Sequence, residues 1–167
     1  GVKPKYTNEE FDNNGELSLA GKVNYKEVKK FLEDNFFKSA IPKSLDKLYF
    51  KKYLLDIDTN ILDLNDKLAT LSELTVISII NSINSMPNKI KSFCITGGDY
   101  KNKYILNKFL KFWTPSAVFL IESEILPNTI LEIKKRNIPL LLINARITKK
   151  TFLNWMKFSK STKNLFK

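Results

Sequence analysis

Residues 117–144 read AVFLIESEILPNTILEIKKRNIPLLLIN. Two short apolar runs, AVFLI (117–121) and PLLLIN (139–144), flank LPNTILEIKKRN (126–137), whose apolar residues recur at helical spacing. Pro127 stands near the first turn of that helix, where the missing N–H has no partner to lose. A run, a helix and a second run predict two parallel strands joined by a crossover. The same grammar continues upstream. IKSFCIT (90–96) predicts a strand ending at Gly97-Gly98, and YKNKYILNKFLKFW (100–113) predicts a helix leading into AVFLI. The expected fold class is α/β: helices followed by a small three-stranded parallel sheet in β-α-β-α-β order with flanking helices. The last of these is KKTFLNWMKF (149–158), capped by Thr148.

Before residue 90 the pattern is helical. VNYKEVKKFLEDNFF (23–37) has Asn24 as N-cap and Val28, Phe31 and Leu32 on one face. Beyond Pro42, Ser44 is expected to cap LDKLYFKKYLLD (45–56), stacking Leu45, Leu48, Tyr49 and Tyr53. Asp63 or Asn65 opens LNDKLATLSELTVISIINSIN (64–84), with Leu68, Leu71, Leu74, Ile77, Ile80 and Ile83 along a wide apolar arc.

The composition excludes several function classes. Across 167 residues, 43% hydrophobic and 27% charged content is that of a globular chain. No run has the roughly 18 apolar residues of a spanning helix, and the first residues lack a signal-peptide core. With no histidine, imidazole acid–base chemistry and imidazole metal ligation are excluded within the chain, and no metal site is expected. A lone Cys94 excludes an internal disulfide, fits a reducing compartment, and reads as core.

The net charge of +11 is uneven. Residues 1–104 carry 16 lysines against 14 acidic residues, whereas residues 105–167 carry 12 basic against 3 acidic, giving +2 and +9. Arg136 and Arg146 are the only arginines, so the basic surface is poorly suited to reading bases or clamping phosphates, and no specific nucleic-acid partner is expected.

Four segments carry a resemblance in chain order: FDNNGELSLAGKVN (11–24), IPKSLDKLYF (41–50), DKLATLSELTVISI (66–79) and FCITGGDYKN (93–102). Together they resemble the C-terminal part of the anhydro-N-acetylmuramic acid kinases. That resemblance implies an actin/hexokinase-type fold and ATP-dependent phosphorylation of an anhydro-sugar in cell-wall recycling. It implies nucleotide contacts at Gly97, Gly98 and Asn102, although Asn102 equally suits a polar position in a helix's first turn. Asp12 with Gly15 reads first as a turn and second as a ligand contact. Two departures oppose catalysis. The family's phosphate-binding glycine motif and catalytic Asp lie N-terminal to the matched part. Asp99 also replaces the third glycine of the turn, facing an anionic ligand with a negative charge.

Residues from about 109 to 158, with FLKFWTPSAVFLIESEILPNTILEIKKRNIPLLLINARITKKTF (109–152) carrying the motifs, resemble a second family, the N-terminal domain of 3-deoxy-D-manno-octulosonic acid (Kdo) transferases. These are GT-B-type enzymes that move Kdo from a CMP-sugar to the lipid A precursor. Leu126 stands where that family has Trp. The resemblance makes Glu122 and Glu124 candidate catalytic carboxylates, and Asn144, Arg146 and Asn128 candidate substrate contacts. Glu122 and Glu124 follow one strand while Asn144 and Arg146 follow the next, at the sheet edge where open α/β folds bind ligands. Arg146 could hold the carboxylates ionised there. The alternative is that one glutamate anchors the loop before Pro127 and Arg146 merely pairs with it.

These resemblances divide the chain into residues 1–104, a partial sugar-kinase region, and 105–167, a partial transferase N-domain. The expectation is a catalytically incomplete hybrid, a remnant reading frame of a reduced, AT-rich Gram-negative genome, cytoplasmic and peripheral on the inner membrane. ATP is its implied cofactor. A sugar nucleotide, an anhydro-sugar and a lipid A precursor are its implied partners. Two alternatives stay open: a fragment active only when other chains supply the missing motifs, and a basic module on a membrane surface. For the tail TFLNWMKFSKSTKNLFK (151–167), the readings are a lipid-facing surface or a helix covering the sheet with a lysine-rich end.

Overall fold

The computed structural model describes residues 12–40, 43–44, 46, 48–95, 101–121, 127–143, 149 and 153. The chain divides into two compact units, Gly1–Phe109 and Leu110–Lys167.

The first unit is helical, and short polar side chains start several of its helices. A turn at Asn13–Gly15 leads into α1 (Glu16–Ala20). The Asp12 carboxylate accepts from the N–H groups of Leu17 and Ser18 at 3.0 and 3.1 Å and from Ser18 Oγ at 2.6 Å. Asn24 caps α2 (Tyr25–Leu32), taking the N–H groups of Lys26 and Glu27. Asp34 caps α3 (Asn35–Lys38), and α4 spans Lys51–Asn60. Asp63 caps α5 (Leu64–Asn84), and α6 spans Lys103–Trp113. Each such cap satisfies amides that the first helical turn leaves unpaired, typically about 1 kcal/mol.

Val28, Ile57, Ile61 and Leu74 form the buried centre of this unit, with Val23, Phe31, Leu32, Leu71 and Ile77 packed around it. Burial of each large aliphatic side chain contributes about 1.5–3 kcal/mol. Beside it, Phe31 lies 4.9 Å from Phe37, 5.2 Å from Phe50 and 5.1 Å from Tyr53, ring centre to ring centre.

Three sequence expectations need correction here. The helix expected over 45–56 starts at Lys51, and Ser44 does not cap it. The Asp46 carboxylate captures the Leu48 N–H at 2.7 Å, a local bond that competes with helix formation and leaves Leu48 and Tyr49 exposed. In α5 the buried residues are Ala69, Thr70, Ser72, Glu73, Leu74 and Val76, so only Leu74 of the expected arc is fully buried. Ser72 and Glu73 find polar partners on α1 and α6, while Leu71 and Ile77 of the arc are partly buried against the hydrophobic centre. Finally, residues 90–95 form no strand, and Cys94 is exposed where core was expected. An extended run becomes a strand only when a neighbour takes up its backbone groups, and residues 90–95 pair with none among the described residues.

The second unit carries the βαβ element. β1 (Val118–Ile121) and β2 (Leu140–Ile143) pair in parallel, with Val118 opposite Leu140 and Ile121 opposite Ile143. Between them runs α7 (Pro127–Lys135), which buries Ile130 and Ile133. Asn137, at φ +54°, ends the helix by donating its N–H to Lys134 O, while Ile138 N–H returns to Ile133 O. The described sheet therefore has two parallel strands where three were expected, because residues 90–95 do not join it. The chain is mixed α/β and mostly helical.

Candidate functional site

Three of the four segments that resemble a kinase meet in the first unit. Ser18 Oγ lies 3.0 Å from Ser72 Oγ, and both hydroxyls are buried. Thr70 Oγ1 accepts the Asn24 N–H at 3.0 Å and donates to Asp66 O at 2.7 Å. Glu73, 6% exposed, accepts from Tyr104 OH at 2.7 Å and from Lys108 Nζ at 3.0 Å. Burial, and then the bond to Glu73, push the Tyr104 phenol far above its ordinary range. Lys103 Nζ reaches Glu16 at 3.2 Å, joining the first turns of α6 and α1.

Asn102 is the N-cap of α6. Its Oδ1 accepts from the N–H groups of Tyr104 and Ile105 at 2.9 and 3.2 Å. Gly15, at φ +71°, backs directly onto it: a Cβ there would stand 2.2 Å from Asn102 Oδ1. Gly21 approaches α5 as closely, since a Cβ would meet the Asn65 carbonyl oxygen at 2.0 Å. Both glycines are therefore required by proximity, and Gly15 also by its left-handed backbone.

The fourth segment belongs to a different cluster. Lys43 Nζ donates to the carbonyl oxygens of Phe36, Phe37 and Ser39 at 2.9, 3.2 and 3.2 Å, closing the C-terminal end of α3. Nearby, the buried Asp34 carboxylate accepts from Tyr53 OH, from the Phe36 N–H at 2.9 Å, from Tyr49 OH at 2.9 Å and from Lys52 Nζ at 3.3 Å. Those donors, Tyr53 foremost, hold its carboxyl well below the usual carboxylate range, against the opposing effect of burial. Sequence reasoning missed this cluster and the Glu73 cluster. The local signals were Asp34 three residues before Phe37, which reads as a cap, and a glutamate inside an otherwise apolar helix.

Glu122, Glu124, Asn144, Arg146, Gly97 and Gly98 lie outside the described residues, as does the expected helix over 149–158 apart from Lys149 and Leu153. Asn128 falls in the first turn of α7. Ile121 and Ile143 are register partners, so the chain leaves both strands at the same end of the sheet. Among the described residues, no helix is long and apolar enough to cross a membrane.

The family model for anhydro-N-acetylmuramic acid kinase matches residues 2–126, about three quarters of the chain. The chain belongs to the anhydro-N-acetylmuramic acid kinase family. Similar kinases include that of Gamma-proteobacterium EBAC31A08, 37% identical over 98 residues covering 59% of this chain and 27% of the relative. The kinase of Rhizobium rhizogenes is 33% identical over 98 residues, covering 59% of this chain and 25% of the relative. That of Coxiella burnetii (strain Dugway 5J108-111) is 29% identical over 117 residues, covering 69% and 32%. The chain thus spans between a quarter and a third of the length of these curated relatives. A second family model, 3-deoxy-D-manno-octulosonic-acid transferase, matches residues 97–167. The two matches overlap over residues 97–126, the stretch that contains α6 and β1.

Proposed function

We propose that this chain is the structural frame of an anhydro-sugar kinase joined to the opening βαβ element of a Kdo-transferase-like domain, and that alone it performs neither reaction. The observation that carries this reading is the commitment of the described kinase-segment polar groups to one another. Both Asp12 oxygens, Asn102 Oδ1, the Ser18–Ser72 hydroxyl pair and the Glu73 carboxylate are spent on caps and internal bonds. A general base or a substrate anchor needs a carboxylate or amide that reaches the substrate, and these reach helix first turns or a neighbouring helix instead. Asn102 is accordingly a frame residue on this reading. Glu122, Glu124, Asn128, Asn144 and Arg146 are assigned on this reading to the carboxyl end of the two strands, the edge where open parallel sheets bind their ligands.

On the same reading ATP, an anhydro-sugar, a CMP-sugar and a lipid A precursor are ligands of the parent enzymes, all met on the cytoplasmic side of the inner membrane. The test is two assays on the purified chain. One supplies ATP with 1,6-anhydro-N-acetylmuramic acid and follows the phosphorylated sugar; the other supplies CMP-Kdo with lipid A precursor and follows Kdo transfer. Neither product should rise above the protein-free rate. Turnover in either assay overturns the proposal.

A further inference from the structure

Beyond α5 the chain runs uncovered. Residues 85–95 are exposed apart from the half-buried Ile90, and none of them belongs to a helix or strand. The Met86 N–H reaches Ile83 O at 3.2 Å. Past it, no main-chain bond among the described residues involves residues 87–95. Main-chain groups in that state are open to a partner that supplies the hydrogen bonds of a neighbouring strand. Lys89 and Lys91 stand in the middle of this stretch, both exposed. Two residues beyond Lys91 the stretch is anchored, because Phe93 stacks on Phe109 with ring centres 5.1 Å apart.

We propose that this connection is a processing site for a lysine-directed endopeptidase, which opens the Lys89–Ile90 bond and leaves the two pieces joined through α6. Such an enzyme holds its substrate as an extended strand and takes the lysine ammonium onto a carboxylate at the base of its specificity pocket. Water adds across the peptide bond, giving a carboxylate on Lys89 and an amine on Ile90. Exposure of a lysine does not by itself select the site. Lys29, Lys30 and Lys51 are exposed too, but they belong to α2 and α4. A helical turn has its amides bonded internally and must unfold before it can lie in a cleft. The Lys91–Ser92 bond comes second, since a cleft closing over it has to draw Phe93 away from Phe109.

Cutting the connection removes none of the contacts that hold α6 to α1 and α5. All of them lie past the cut: Asn102 against Gly15, Lys103 on Glu16, and Tyr104 with Lys108 on the buried Glu73. Tyr104, Leu106 and Phe109 are buried along the same helix. The intact connection serves only to keep α6 at high local concentration, and an assembled joint no longer needs it.

The experiment is limited digestion of the folded full chain with lysyl endopeptidase, read by mass spectrometry and on a sizing column. The first cut between α1 and α6 should follow Lys89, with Lys91 next, and Lys29, Lys30 and Lys51 should survive it. Under denaturing conditions the product should resolve into pieces 1–89 and 90–167. Under native conditions it should run with the uncut 19.4 kDa chain. Lys89→Gln/Lys91→Gln should lose this cut while keeping the circular dichroism of the parent, both side chains being exposed. Phe93→Ala should bring the Lys91 cut level with that at Lys89. Tyr104→Phe, once cut, should release its pieces at dilutions where the parent pieces stay together. A first cut elsewhere between α1 and α6 would overturn the proposal, as would resistance of the whole span. Parent pieces that separate on the native column would overturn it equally.

Discussion

Removing one oxygen atom tests the packing of α6 on α5. Tyr104 is 7% exposed, and its hydroxyl donates to the 6% exposed Glu73 at 2.7 Å. Tyr104→Phe keeps the ring and leaves the buried carboxylate with Lys108 alone, at 3.0 Å. A hydrogen bond to a charged group contributes about 1.5–3 kcal/mol, so the variant should lose about that much stability at pH 7. The double variant Tyr104→Phe/Glu73→Gln should lose less than the two single losses combined, since each removes the same bond. Alkaline pH adds an independent readout. The folded-state phenol titrates far above its ordinary value near 10, so above that value the unfolded chain releases a proton that the folded chain keeps. This group's contribution is complete below about pH 10 and declines as pH rises further, with a limiting slope of about 1.4 kcal/mol per pH unit. Urea melts followed by circular dichroism from pH 7 to 11 would show it. Tyr104→Phe should decline less steeply above pH 10 than the parent chain. Equal stability at pH 7 within about 0.5 kcal/mol, the range of an ordinary surface change, would refute the reasoning, as would parallel alkaline slopes.

Asp34 predicts the acid limb. Its carboxyl titrates below the unfolded value, so its contribution is complete above about pH 4 and fades as pH falls through the folded value. Asp34→Asn should flatten the acid side of the melting profile, and an unchanged acid limb would count against the tyrosine bonds. Gly15→Ala faces both a left-handed backbone and a Cβ 2.2 Å from Asn102 Oδ1, and should cost more than ~2 kcal/mol. The same denaturant melts check it, and a near-neutral result would mean that Gly15 and Asn102 do not touch.

Helix starts were legible locally. Asn24 and Asp63 each carry the short polar side chain that caps a first turn, and both cap the helices expected of them. The βαβ unit was equally plain, because strand, helix and strand each declare themselves within a few residues. Family membership could also be read from the ordered segments alone. Tertiary contacts decided the rest. Residues 90–95 have strand-like composition, yet a strand exists only if a neighbour takes its hydrogen bonds, and that neighbour is not coded nearby. The buried face of α5 turned on a glutamate and two hydroxyl residues, whose partners lie 31 to 54 positions away along the chain. Residue type predicts burial by averaging over surroundings, whereas a buried Glu73 depends on the particular tyrosine and lysine that meet it. Asn102 combines both levels: its Oδ1 caps the first turn of α6 by bonds local to the sequence, whereas its close approach to Gly15 is a tertiary contact.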